Sequence, residues 1–329
     1  MRTLLALTLL LSVILFPACE RSLEEDFNTD ELLALIDADE AFSLDGFNDE
    51  GAVVDDYIEG LEMGGMEKTL VDTLWPHSSY RLRFGRQITN HDRTVNFDVN
   101  GDTAIGYITH TVEGNFIVVA IDTATHTMVD SFVKTFSTDF NRKLRFVRIP
   151  DNNNPDGYRW VIDAFTLGTG GAGTKIHITK LEFIWTPLGG NDSVFYSFES
   201  GAVEDLFIPR QELPTFLAWT PMRVELTVEN DDPVFYLDSL DSGERALFHF
   251  GRDRRHKARR RMNDSGFGAD DQAVDNVFTV TWRAHGPGIG HRQRIFRMFF
   301  DVIDNATLFI SDGGYNTAVW YFPYKIVRP

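Results

Sequence analysis

Residues 94–111 read Thr94-Val95-Asn96-Phe97-Asp98-Val99-Asn100-Gly101-Asp102-Thr103-Ala104-Ile105-Gly106-Tyr107-Ile108-Thr109-His110-Thr111. Val95, Phe97 and Val99 alternate with polar residues, and so does the run after the turn. Asn100-Gly101 supplies the positive backbone angles that a two-residue hairpin requires. The stretch therefore predicts two antiparallel strands, over 94–99 and 103–111. Upstream, Tyr80, Leu82 and Phe84 alternate with Arg81 and Arg83. Downstream, strands are expected over 116–121, 129–136, 143–149, 158–167 and 176–185. The turn-forming run Asp151 to Gly157 separates two of them. Gly168 to Gly173 reads as a flexible glycine-rich loop.

Helical signals lie ahead of these strands. Asn28-Thr29-Asp30 offers N-capping chemistry, and Leu32, Leu33, Leu35 and Ile36 give one apolar face. A second, poorer helix is expected over Val53 to Leu61. Residues 187–221 carry Pro187, Gly189, Gly190, Pro209, Pro214 and Pro221 and read as a connector. Beyond it Met222, Val224, Leu226 and Val228 alternate, and further short strands follow near 246–250, 277–284, 294–303, 307–311 and 318–327. Helices followed by a meander give an expected α+β domain over 29–186. Short strands without helices give an expected β-sandwich over 222–329.

The N-terminus has its own pattern. Arg2 precedes an apolar run from Leu4 to Phe16, and Pro17-Ala18-Cys19 closes it. A charged start, a short apolar core and a small residue form a secretory signal, too short for a transmembrane helix. Leu15-Phe16-Pro17-Ala18-Cys19 resembles the bacterial lipobox. The resemblance implies removal of residues 1–18, lipidation of Cys19, an acidic tether over 19–28 and anchoring in the cell envelope. Glu20 after the cysteine points to the outer membrane. Cys19 is the only cysteine, so no internal disulfide can form.

Two further resemblances bear on the fold. Residues 29–186 carry Arg83-Phe84-Gly85-Arg86, Val95-Asn96-Phe97-Asp98, Glu113-Gly114, Arg145-Phe146-Val147-Arg148 and Trp160-Val161-Ile162-Asp163-Ala164. This layout resembles the nuclear-transport-factor-2-like (NTF2-like, SnoaL-like) cone-shaped α+β fold. Residues 222–329 resemble an immunoglobulin-like sandwich through strand rhythm and Trp282, without paired cysteines. Both folds host enzymes, binders and spacers, so neither fixes a function.

Charge is distributed unevenly. The net charge is −18, which argues against a nucleic-acid partner. Glu20 to Glu67 holds 17 acidic residues against one base, Arg21. The sign reverses at Arg252, Arg254, Arg255, His256, Lys257, Arg259, Arg260 and Arg261, eight of ten consecutive positions. That density can grip an envelope protein or an anionic glycan, or it can face the chain's own acidic segment.

Other candidates are weaker. The cone-fold resemblance implies a cavity in which Asp163, on an inward strand face, would meet His110 or Arg145 as an acid–base pair. Asp264, Asp270, Asp271 and Asp275 read as a solvated loop rather than a metal site. Asp98-Val99-Asn100-Gly101-Asp102 reads as a turn. His285 and His291 bracket a glycine-rich turn with no third zinc ligand evident. No cofactor motif and no Gly-x-Ser-x-Gly elbow is present. The expected function is a membrane-anchored binding or assembly module. The alternatives are an enzyme using the cavity of the first domain, and a carbohydrate binder with Trp282, Trp320 and Tyr321 as a stacking platform.

Overall fold

The computed structural model describes residues 29–42, 79–185, 192–235, 242–251 and 257–329, with the backbone of 56–58. The signal segment, Cys19, the 19–28 tether and residues 252–256 lie outside the described residues. Helix α1 (Thr29–Ala38) forms as its capping and periodicity predict, and it buries Leu32 and Ile36. The second expected helix does not form where it is described. Asp56–Ile58 is a strand, β1, paired with the start of the next strand.

Strands then dominate: β2 (Tyr80–Asn100), β3 (Thr103–Asp122), β4 (Met128–Pro150), β5 (Tyr158–Phe165), β6 (Gly168–Ala172), β7 (Ile176–Trp185) and β8 (Ser193–Glu199). A four-residue helix α2 (Ser200–Val203) leads to β9 (Ile208–Pro209), β10 (Thr215–Leu217), β11 (Pro221–Asn230), β12 (Glu244–Gly251), β13 (Lys257–Arg261) and β14 (Val277–Arg283). The chain closes with β15 (Gln293–Asp304), α3 (Asn305–Phe309) and β16 (Thr317–Val327).

The strands form two sheets. One runs β1-β2-β3-β4-β6-β16-β15-β12-β13, with β5, β9 and β10 attached off this path. The other is β14-β11-β7-β8. Rings interlock between them: Phe183 of β7 lies 6.1 Å from Phe300 of β15 and 6.2 Å from Phe322 of β16. Trp282 of β14 stands edge-on to Phe248 of β12 at 5.6 Å. This is an all-β, sandwich-like body.

The cone-shaped α+β domain over 29–186 and the separate immunoglobulin-like sandwich over 222–329 are therefore corrected. Strands of the two stretches interleave. β7 pairs antiparallel with β11, and β6 sits between β4 and β16. One apolar cluster runs from Leu32 of α1 through Phe146, Phe183 and Trp282 to Ile326. The 187–221 stretch supplies β8, β9 and β10 to these sheets.

Two local reasons explain the difference. β2, β3 and β4 are each twenty residues or longer, whereas their polar middles read as breaks between short strands. In β3 every second residue from Ala104 to Ala120 is buried, so one face stays inward along the whole strand. Gly114 lies inside that strand, where a Cβ would stand 2.2 Å from the Gln87 carbonyl oxygen. The register shifts opposite it, between Ile88 and Asn90, a bulge that bends the pair. The bend carries the β2–β3 end round to β12 and β15: Leu82, Phe84 and Val118 share an apolar cluster with Leu247 and Ile303.

The second reason is β6. Its glycines are not a loop but a strand in the middle of the large sheet. The Tyr321 ring lies flat on Gly168, where a Cβ would be 2.0 Å from Tyr321 Cζ. Glycine within a strand marks such a close approach.

Candidate functional site

The inner face of β2–β4 carries polar side chains between the two apolar clusters. Alternation puts His91 and Arg93 of β2, His110 of β3, and Lys134, Thr138 and Arg142 of β4 on this face. Cross-strand register makes rows of them. Thr138 lies beside Val112 and His91, Phe140 beside His110 and Arg93, and Arg142 beside Ile108 and Val95.

At one end, Lys134 is buried, and its ammonium donates to the carbonyls of Ala306, Thr307 and Gly314 at 3.0, 2.9 and 2.8 Å. Burial lowers its pKa to about 8, with Asp304 and Asp312 opposing the shift. All three N–H groups are used in tying α3 and its turn to β4. Next to it, Arg86 of β2 grips Asp301 of β15 through both nitrogens, at 2.6 and 3.1 Å, and donates Nε to the Tyr315 hydroxyl. Burial opposes the charge, but Asp301 and Tyr315 outweigh it, so the guanidinium is held protonated. These groups are structural cross-ties between the long strands and the last third of the chain.

Further along, Arg142 is buried over the Tyr321 ring, 4.5 Å from its centroid, and 5.5 Å from that of Phe42. His110 stacks on His91 with centroids 5.5 Å apart. Burial pushes its pKa down to about 3, and Arg142, His91 and Arg93 add to the shift. The imidazole is thus neutral over the physiological range and offers no general acid.

The other cavity candidates do not join it. Asp163 points to the face of β5 opposite Trp160, Ile162 and Ala164, and Arg145 points to the outer face of β4. They pair with each other, Arg145 Nε to Asp163 Oδ2 at 2.8 Å, beneath the Phe207 ring. Asp163 is therefore outward, not inward: of its two expected partners it meets Arg145, and His110 lies on the other face of the sheet.

The basic run ends in β13, the last strand of the large sheet. Arg260 and Arg261 are exposed and Arg259 is half-buried. Arg260 donates to the Thr281 carbonyl of β14, itself the edge of the second sheet. Both sheets thus end beside this strand. Three acidic groups of the described N-terminal segment pair elsewhere. Asp37 binds Arg93, Asp39 binds Arg210 and Glu40 lies near Arg294.

Asp264, Asp270 and Asp275 bring carboxylate oxygens within 4.8 Å of one another, and the first two are buried. Two of the four aspartates of the expected solvated loop are thus buried, while Asp271 is exposed. Asp264 accepts the N–H groups of Asp275 and Asn276, and Asp270 accepts that of Gly266. The carboxylates staple their own loop. Burial raises Asp264 from 3.8 to about 6, against those two hydrogen bonds. Its folded pKa exceeds its unfolded one, so the contribution to stability is full below 3.8 and lost as pH rises through about 6. Asp264→Asn should accordingly gain stability relative to the wild type across that window. Urea unfolding at stepped pH measures it, and a flat difference would refute the buried carboxyl.

His285 forms no metal pair with His291. Its Nδ1 donates to Gly286 O, and its Nε2 accepts from the Tyr324 hydroxyl at 2.8 Å. Trp282, Trp320 and Tyr321 lie in the core at 0%, 5% and 2% exposure, so they are not a stacking platform. Among the described residues the exposed large rings are Tyr107, Trp185, Phe195, Trp219, Phe235 and Phe267. Sequence alternation carries no sign of this, because a strand's two faces look alike until a partner sheet covers one.

The fold and these groups define an all-β, sandwich-like protein with charged cross-ties inside and a basic strand at its edge. No family model matches the chain, and no curated protein matches it.

Proposed function

We propose that the chain is a lipid-anchored protein of the bacterial envelope, held in the outer membrane through Cys19, that binds an anionic glycan at its basic edge. The observation that supports this most is the placement of Lys257–Arg261 as the terminal strand of the large sheet, with Arg260 and Arg261 exposed. Among the described residues, edge position leaves one side of the strand without a ladder partner, and arginine offers forked contacts to phosphate and carboxylate. An acid–base enzyme gains no support from a neutral His110 and an Arg145–Asp163 pair on the outer face.

Retention of the mature chain on an immobilised sulfated or phosphorylated polysaccharide tests the proposal. Replacing Arg259, Arg260 and Arg261 together by Gln should lower the eluting salt concentration clearly. Cys19→Ser should move the protein out of the membrane fraction. Unchanged elution would remove the binding role. A variant that instead self-associates would assign these charges to guarding an open sheet edge.

A further inference from the structure

Three segments, 217–220, 283–294 and 325–329, meet at one end of the body and present apolar side chains to solvent. The Trp219 N–H donates to the Ala284 carbonyl and the Ala218 N–H to the Val327 carbonyl, both at 2.8 Å. The Trp219 ring lies against Gly286, where a Cβ would stand 2.7 Å from Trp219 Cζ2. The Arg328 guanidinium donates to the Gly288 carbonyl at 2.9 Å, and the Arg328 N–H donates to the Arg292 carbonyl at 2.9 Å. Around these contacts Leu217, Trp219 and Ile289 are 51%, 56% and 99% exposed. Ile289 stands at a loop tip between Gly288 and Gly290, both at positive φ. Trp219 has a φ of 71°, in the turn that the Thr220 N–H closes onto the Leu217 carbonyl. Glycine usually takes that place. The indole is thus kept against a backbone preference, the kind of strain that collects at binding sites.

Charge points to the kind of partner. The chain carries a net charge of −18, yet residues 213–223, 283–294 and 317–329 contain no Asp or Glu. Arg283, Arg292 and Arg328 are exposed. Arg283 donates Nε to the Trp219 carbonyl at 3.0 Å, so its charge is held at the indole. Among the described residues, none of these three arginines pairs with a carboxylate. Apolar tips and an indole with unmatched arginines beside them fit the boundary between anionic headgroups and acyl chains.

We infer that the end formed by Leu217, Trp219 and Ile289, with Arg283, Arg292 and Arg328 around them, docks onto an anionic lipid surface. Ile289 and Trp219 enter the headgroup region, and the arginines meet lipid phosphates. The choice of a bilayer as partner rests on the Cys19 anchor proposed above. Ten residues separate Cys19 from Thr29, a reach of at most about 35 Å, so an anchored body stays beside its membrane. Just past α1, Glu40 lies 3.8 Å from Arg294. Arg294 Nη1 in turn comes within 3.6 Å of where a Gly288 Cβ would stand. The helix that follows the tether therefore ends next to the Ile289 loop, and the anchor and the tip can engage one bilayer.

Flotation of the mature chain carrying Cys19→Ser, and so no lipid of its own, tests the docking surface. The probes are vesicles of phosphatidylcholine alone and of phosphatidylcholine mixed equally with phosphatidylglycerol. The chain should float with the mixed vesicles, and less so as salt rises. Ile289→Asp should weaken the partitioning at least about tenfold, the scale of one aliphatic side chain kept out of lipid. Trp219→Gly should weaken it as well while leaving the chain folded, since glycine suits the positive φ. Changing Arg283, Arg292 and Arg328 together to Gln should remove the preference for phosphatidylglycerol. The variant with Arg259, Arg260 and Arg261 changed to Gln should keep the dependence on Ile289. Palmitate labelling of the full chain in a bacterial host reads the anchor separately. Flotation without a label would remove the anchor and leave the docking surface standing. A label without flotation would keep the anchor and overturn the inference. Flotation that Ile289→Asp and Trp219→Gly leave intact would also overturn it, and self-association that Ile289→Asp abolishes, without flotation, would assign the tip to a second copy instead.

Discussion

Asp301→Ala should destabilise the protein by about 3 kcal/mol, because it strips a buried guanidinium of its counter-charge. Arg86 makes a two-nitrogen contact with this carboxylate and would keep only the Tyr315 hydroxyl. Asp301 is 5% exposed, so water cannot readily replace it. The effect should depend on the unpaired charge rather than on lost volume. Arg86→Met combined with Asp301→Leu should therefore recover most of the loss, as apolar replacement of a buried pair commonly does. Urea midpoints of the two variants check both halves. A single variant as stable as the wild type would mean that the pair contributes nothing to the fold.

A larger loss, about 4 kcal/mol, is expected for Trp282→Ala, the usual scale for emptying a large aromatic site in a core. Trp282 is fully buried. It stands edge-on to Phe216 at 5.1 Å, Phe248 at 5.6 Å and Tyr324 at 5.8 Å, and thus touches both sheets. Its Nε1 has no hydrogen-bond partner. Trp282→Phe keeps the ring packing and removes that buried N–H, so it should cost well under half as much. Chemical denaturation resolves the difference. Equal losses for the two variants would contradict a role that rests on packing.

How much of this was readable in the sequence follows from how local each signal is. The alternation on either side of the hairpin and the Thr29–Ala38 helix depend on neighbouring residues and appear where the sequence puts them, while the turn falls one residue later than Asn100-Gly101, on Gly101-Asp102, because Asn100 still pairs with Thr103. The class did not follow from them. One ten-residue helix weighed as a layer in the reading, yet it covers one part of a sheet structure. The pairing of β7 with β11 joins residues about fifty positions apart, and that of β6 with β16 joins residues far more distant. Nothing within a short window specifies either. Gly168 to Ala172 looked like a loop because its side chains are missing. They are missing because Tyr321 and the Thr317 carbonyl occupy the space.

The site was partly legible. His110 falls on the buried parity of its strand, set by Ile108 and Val112 on either side. Asp163 shares parity with Val161 rather than with Trp160 and Ile162, so its outward direction could have been read from the same alternation. Arg86, Lys134 and Arg142 gave no such signal. An arginine or lysine on an alternating strand normally marks the solvent face. Here the bend in the sheet turns that face toward β15, α3 and β16.

The central structural claim is that the N-terminal and C-terminal stretches form one cooperative body. Hydrogen exchange of the full mature chain through a urea series, read on peptides from β3–β4 and from β15–β16, tests it most directly. One body predicts that both regions lose protection at the same urea concentration, and that Asp301→Ala lowers both midpoints by the same amount. Two separated transitions, with the Asp301 substitution shifting only the β15–β16 peptides, would contradict it.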